Sequence, residues 1–308
     1  MKKLSSYEDR AIAEIAIHMI DPSLFHETLA LIGKPVELAL KIPKVGPTIQ
    51  KGINLGLKGT ISASHLFYGD ETILGEYKKN NIVTTVENIS TLDLEAIDKV
   101  ADSFKSSGKL MVGAEGAILG LAASFSHLLP GSQLAVVGMD IAASFTFLSR
   151  HACCVCLSFG LDPRDPRNLV HILSSMIPLA NSTDEGFLAA KLEALAQIRQ
   201  AADYILKARE AAASAEMLQK VLNTPAFVRF LEMIAARLGV AITEKEIAML
   251  VPAVGAVLNG GVNVAFLHYQ HQTALDYHRK LYLERKYGED FIHNEVEKAK
   301  IKYKPKAA

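Results

Sequence analysis

Residues 108–160 decide the fold: GKLMVGAEGAILGLAASFSHLLPGSQLAVVGMDIAASFTFLSRHACCVCLSFG. Only Lys109, Glu115, Asp140 and Arg150 in this stretch carry a formal charge. Its small and apolar residues follow helical spacing and lack the alternation of a half-buried strand. Pro130-Gly131 is the strongest local breaker. Residues 110–129 and 132–159 are therefore predicted to form two antiparallel helices, with Gly160 as the C-terminal stop. Gly113, Gly116 and Gly120 fall on one helical face and allow a second helix to approach closely. Glu115, alone among apolar neighbours, is expensive to bury unless paired or protonated. It is expected near Asp140 or Arg150, as an ion pair or polar clamp. Cys153, Cys154 and Cys156 read as small packing residues, because adjacent positions on a helix point apart and an odd, tight cluster is no disulfide framework.

Such a hairpin has two readings. A helix of about 20 residues rises about 30 Å, enough to cross a bilayer, but Glu115, Asp140 and Arg150 each cost several kcal/mol in lipid unless shielded. The alternative is a pair of core helices that are apolar all round because neighbours cover them. It needs only ordinary burial and is the favoured reading.

The flanks are helical too. Ile12, Ile15, Ala16 and Met19 are spaced for one helix face, and Asp21-Pro22 closes that segment. Leu92, Leu94, Ile97, Val100 and Phe104 mark an amphipathic helix. Asp165 is placed to cap a helix opened by Pro166. Residues 187–222 are rich in strong helix formers and form one long helix or two stacked ones; another follows at 225–238. Thr243 and Glu246 have capping-box spacing, and Pro252, Gly255, Gly260 and Gly261 interrupt the apolar run beyond them. The lysines from Lys298 to Lys306 are expected in a frayed tail. The expected fold is all-α, a compact multi-helix domain with a central glycine/alanine-rich hairpin. Residues 1–90 form an N-terminal helical region packed on a 91–290 core, and 291–308 a flexible basic tail.

Composition narrows the function. Half of the 308 residues are hydrophobic, which excludes a disordered chain. The 33 basic and 33 acidic residues cancel, so no basic excess marks a nucleic-acid surface. Lys2 and Lys3 resemble a signal n-region, but Glu8, Asp9, Arg10 and Glu14 break any apolar run; no signal peptide and a reducing, cytoplasmic setting are expected. No P-loop, strand-led dinucleotide fingerprint or G-x-S-x-G elbow occurs, and no cofactor is implied. His268, His271 and His278 are the metal candidates, the first two three apart on one helix. No complete ligand set surrounds them, and the His-Glu-x-x-His motif is absent.

Three segments together resemble the EcsC family of bacterial proteins. The first is Val112-Gly113-Ala114-Glu115-Gly116-Ala117, with Leu119 and Gly120. The second is Arg150, then Phe159-Gly160-Leu161-Asp162-Pro163 and Asp165-Pro166. The third is Val251-Pro252-Ala253-Val254-Gly255-Ala256, with Asn259, Asn263 and Phe266, running on to Leu283-Glu284-Arg285-Lys286-Tyr287-Gly288. The resemblance implies a helical protein with no established catalytic activity, and a gene neighbourhood beside an ABC transporter implies work near the cytoplasmic membrane. The shared residues, Asp162, Pro252, Gly255, Asn259 and Asn263 among them, look architectural or pocket-lining. The expectation is a non-enzymatic, cytoplasm-facing protein, peripheral to the inner membrane or a membrane complex. A membrane lipid is a candidate ligand, and no nucleic acid or specific protein partner is indicated. The rivals are a metal-dependent hydrolase using His268, His271 and Glu115, and a soluble protein-interaction module.

Overall fold

The computed structural model describes residues 3–20, 70–105, 149, 151–207, 211–250 and 259–303, with side-chain detail except at 211–215 and 238–267. All regular elements among them are helical. They are α1 (Ser6–Ile20), α2 (Asp70–Lys79), α3 (Leu94–Ser103), α4 (151–158), α5 (Leu169–Ser174), α6 (Glu185–Lys207), α7 (Ala211–Leu222), α8 (Pro225–Leu250), α9 (Asn259–Tyr287) and α10 (Glu289–Tyr303). Short 3-10 turns occupy Val86–Thr91, Pro166–Asn168 and Leu179–Asn181.

Local chemistry sets several of the ends. Ser5 and Glu8 form a reciprocal box: the Glu8 amide donates to Ser5 Oγ at 3.2 Å, and the Ser5 amide donates to Glu8 Oε2 at 2.8 Å. Asp165 accepts from the Arg167 amide at 2.9 Å, the cap expected ahead of Pro166. Asp184 does the same for α6, accepting from the Phe187 amide at 2.9 Å. α4 ends in a Schellman turn, with the Leu161 amide on the Cys156 carbonyl at 3.1 Å and the Gly160 amide on the Leu157 carbonyl at 2.9 Å.

That turn needs glycine twice over. Gly160 has φ of +73°, and a Cβ placed on it would stand 3.1 Å from the Ser90 amide nitrogen and 3.2 Å from Ile89 Cβ. Both neighbours belong to the 3-10 turn that closes over α4. Gly160→Ala should therefore lower unfolding free energy by about 1–3 kcal/mol. A urea midpoint equal to wild type would show that this backbone conformation carries no such constraint.

α4 is surrounded. Every residue from His151 to Phe159 is buried. Cys153 and Cys156 join a core with α5, α6, α7 and α8, built around Phe187, Phe227 and Phe230. Val155 and Phe159 enter a second core with α1, α3, α9 and α10. Cys154 and Leu157 enter a third, with Ile73 and Tyr77 of α2 and Ile89. The three cysteines form no disulfide and are buried, and adjacent Cys153 and Cys154 serve different cores, as helical geometry requires. This segment is apolar because protein covers it on all sides. Among the described residues, no helix is long and apolar enough to cross a membrane.

The rest of the expected hairpin lies outside the described residues, as do Gly113, Glu115, Gly116, Gly120, Asp140, Arg150, Pro252 and Gly255. Elsewhere the structure corrects the sequence reading. α8 runs unbroken through Thr243 and Glu246, so their capping-box spacing starts no helix. The helix is already nucleated at Pro225 and held by packing on α6 and α9, and cap propensity is too weak to end it. Gly260 and Gly261 lie in the first turn of α9 and do not interrupt it. The 187–222 stretch, by contrast, takes the second of its two expected forms, as the two helices α6 and α7. The basic segment is helical to Tyr303, because Ile292 and Val296 of α10 pack into the core shared with α1.

Candidate functional site

α9 carries the chemistry. Between Gln270 and Arg279 it buries Gln270, His271, Thr273, Asp276, His278 and Arg279 among apolar neighbours. Burying so many polar groups is costly unless each finds a partner, and most reach across to other helices.

Arg279 is the centre of the first cluster. Its Nε donates to Asp98 Oδ2 of α3 at 2.9 Å and its Nη1 to Glu14 Oε2 of α1 at 2.7 Å. Tyr7 adds its hydroxyl to Asp98 Oδ2 at 2.9 Å. The Asp98 side chain is 1% exposed, and its Oδ1 has no partner. Burial pushes this carboxyl up to about 6, against the opposing pull of Arg279 and Tyr7. Burial also works against the charge on Arg279, but Asp98, Glu14 and Asp276 hold it above its ordinary value. One turn earlier, Asp276 accepts from Gln272 at 2.9 Å and pairs with His18 of α1 at 2.8 Å. The hydrogen bond to Asp276 raises the pKa of His18. These contacts tie three helices together through charge.

His271 is the centre of the second. Its Nε2 lies 2.9 Å from Asp102 Oδ1 and its Nδ1 lies 2.7 Å from His151 Nε2 of α4. A carboxylate only accepts, so His271 donates from Nε2 to Asp102, while its Nδ1 faces His151. The buried Nδ1 of His151 has no partner. Burial, with His271 beside it, pushes His151 down to about 3. His171 of α5 meets the Tyr277 hydroxyl at 2.9 Å. Burial and the nearby cations Lys191, Arg285 and Arg199 push it down to about 3 as well.

The structure separates the three histidines singled out as metal candidates. His268 is exposed, His271 spends both ring nitrogens on Asp102 and His151, and His278 is enclosed by Phe159 and Tyr277. No group of three or more potential ligands converges among the described residues. Asp162 belongs to a turn: its Oδ1 accepts from the Arg164 amide at 2.8 Å, and its carbonyl accepts from Asn168 at 2.9 Å. Asn259 and Asn263 lie in the first turns of α9. The long-range partners His151, Asp102, Asp98, Arg279 and Glu14 left no mark in local spacing. The one available signal was that α9 lacks an apolar face while following an apolar run.

Among the described residues, clefts border α9 on two sides. One, of about 380 Å3, lies between the Val86–Thr91 turn, the 159–161 turn and α9, with Phe159, Leu161, His278, Tyr282, Arg285 and Lys286 in its walls. The other, of about 270 Å3, lies between α6, α9 and α10, where Lys280 pairs with Glu284 and Lys300 with Glu297. Neither includes His151, His271 or Asp102.

The EcsC protein family matches residues 22–283, most of the chain, and the protein belongs to that family. No curated protein and no solved structure matches it.

Proposed function

We propose that this member of the EcsC family is a non-enzymatic, cytoplasm-facing protein that docks peripherally on the membrane or a membrane complex, with lipid as a contact. The carrying observation is the end of α10. Ile301 is 76% exposed and Tyr303 41%, and they alternate with Lys298, Lys300 and Lys302. Exposed apolar residues beside lysines are the chemistry of an interfacial helix, where apolar contact and attraction to anionic lipid add. Lys298 and Lys300 are partly spent on Glu295 and Glu297, whereas Lys302 has no acidic partner among the described residues. The non-enzymatic part rests on α9, whose polar groups are mostly tied to one another rather than converging on an open cleft.

Membranes from expressing cells, washed in salt, then alkaline carbonate, then detergent, test this reading. Salt should release part of the bound protein and carbonate the remainder. Each lysine held at an anionic surface is worth about 1 kcal/mol, so Lys302→Gln should weaken binding to phosphatidylglycerol vesicles about fivefold. Ile301→Asp with Tyr303→Ser should weaken it further. Recovery only after detergent would replace docking by insertion. Recovery entirely in the soluble fraction, with vesicles present, would leave the soluble interaction module.

A further inference from the structure

We infer that the cleft beside α9 is a binding site for a phosphoryl group attached to a short apolar body, with Arg285 holding the anion and His278 meeting a second polar atom. The inference goes beyond the docking reading and rests on different residues.

His278 is 1% exposed and lines the cleft, yet neither ring nitrogen has a hydrogen-bond partner. A buried polar atom left unpaired is destabilising, and this ring has two. The Phe159 ring stacks on it at 5.6 Å between centroids, and Tyr277 meets it edge-on at 5.2 Å. Neither ring offers a partner to the imidazole nitrogens. Burial keeps the imidazole neutral, so it presents one donor and one acceptor. The ring borders the cleft but both nitrogens are closed to solvent, so a ligand atom supplies the missing partner once the ring or Phe159 shifts to open one of them.

Charge fixes the sign of that ligand. Arg285 is exposed at the cleft and has no acidic partner among the described residues. Lys286 adjoins it, bound to Glu8 at 2.9 Å and lying over the Tyr282 ring. Glu8 is in turn committed to Lys286, Tyr287 and the Ser5 amide. The free valence at the cleft is therefore cationic, and a guanidinium fork matches two phosphoryl oxygens. Phe159, Leu161 and Leu281 supply apolar wall. The volume, about 380 Å3, lies at the small end of ligand pockets. A phosphate ester with a compact apolar portion fits both requirements. Its source is an amphiphile headgroup or a soluble phosphate ester.

Calorimetric titration of the full chain with decyl phosphate and with glycerol 3-phosphate separates the two sources. Saturable binding of one molecule per chain is expected for at least one probe. Preference for decyl phosphate identifies an amphiphile, and equal or better binding of glycerol 3-phosphate a soluble ester. Arg285→Gln, at an exposed position, should weaken binding at least tenfold while the melting temperature stays unchanged. In wild-type protein with 15N-labelled histidine, the His278 ring signals should move on binding. Replacing Lys298, Lys300 and Lys302 together by Gln should leave this affinity alone while reducing vesicle binding, so the site and the docking reading can fail separately. No saturable binding of either probe up to about 1 mM, binding unchanged in Arg285→Gln, or unmoved His278 signals would overturn the site.

Discussion

Acidification from pH 7 towards pH 3 should unfold the protein through its buried histidines. His151 and His171 titrate near 6.5 when exposed, whereas burial holds both down to about 3 in the fold. Below pH 6.5 the unfolded chain takes up protons that the folded chain refuses. The stability these groups contribute is therefore complete above about 6.5 and drains as pH falls towards 3. Each pKa unit is worth about 1.4 kcal/mol, so two such shifts approach the ~5–15 kcal/mol stability of an ordinary domain. His278, pushed well below its ordinary value by burial, acts in the same sense. Two groups oppose it. Asp98, raised from 3.8 to about 6, favours the fold increasingly as pH drops through that window, and the pKa of His18 is raised by Asp276. The depressed histidines outnumber them, so the net slope should be downward. Denaturant midpoints measured from pH 7 to pH 4 check this. His151→Gln with His171→Gln keeps hydrogen-bonding capacity at both sites without titration and should flatten the profile. A wild-type midpoint constant over that range, or an unchanged slope in the double variant, would remove the histidines as its cause.

Arg279→Met should be among the most damaging single substitutions on α9. It keeps much of the side-chain volume but removes the cation that Asp98 and Glu14 share. Breaking one partner out of a buried pair costs about 3–5 kcal/mol, because the remaining charge stays desolvated. Glu14 is half exposed and recovers water, but Asp98 cannot. Adding Asp98→Asn to Arg279→Met removes the stranded charge and should restore a substantial part of the loss, a non-additivity of about 1–3 kcal/mol. Urea unfolding of the two single variants and the double variant measures it. Additive losses, or an Arg279→Met effect below about 1 kcal/mol, would mean that packing rather than this pair holds α1, α3 and α9 together.

Much of the architecture was legible in the residues. The 3.6-residue periodicity of α1 and α3 buries Ile12, Ile15, Ile97 and Val100, the faces the pattern marked. Asp165 and Gly160 do the local work their types imply. Such features are legible because a helix repeat, a cap and a left-handed residue each involve a few consecutive positions. Where sequence reasoning erred, tertiary packing overrode a weak local signal. Thr243 and Glu246 have the spacing of a helix start, yet α8 carries straight through them.

The candidate site was barely legible. In the sequence, His271 stands out only by its spacing from His268, three residues away on the same helix. Its real partners are His151, 120 positions earlier, and Asp102, 169 positions earlier. Arg279 and Asp98 are separated by 181 positions. Periodicity marked the described segments as helical, and charge sparsity favoured burial of residues 151–159 while leaving a bilayer as the other possible cover. Only the tertiary structure decided which polar groups of α9 satisfy one another and which ring, His278, is left facing a cleft. Secondary structure is written in neighbours, whereas the pairing of buried charges depends on which helices meet, and no local spacing encodes that meeting.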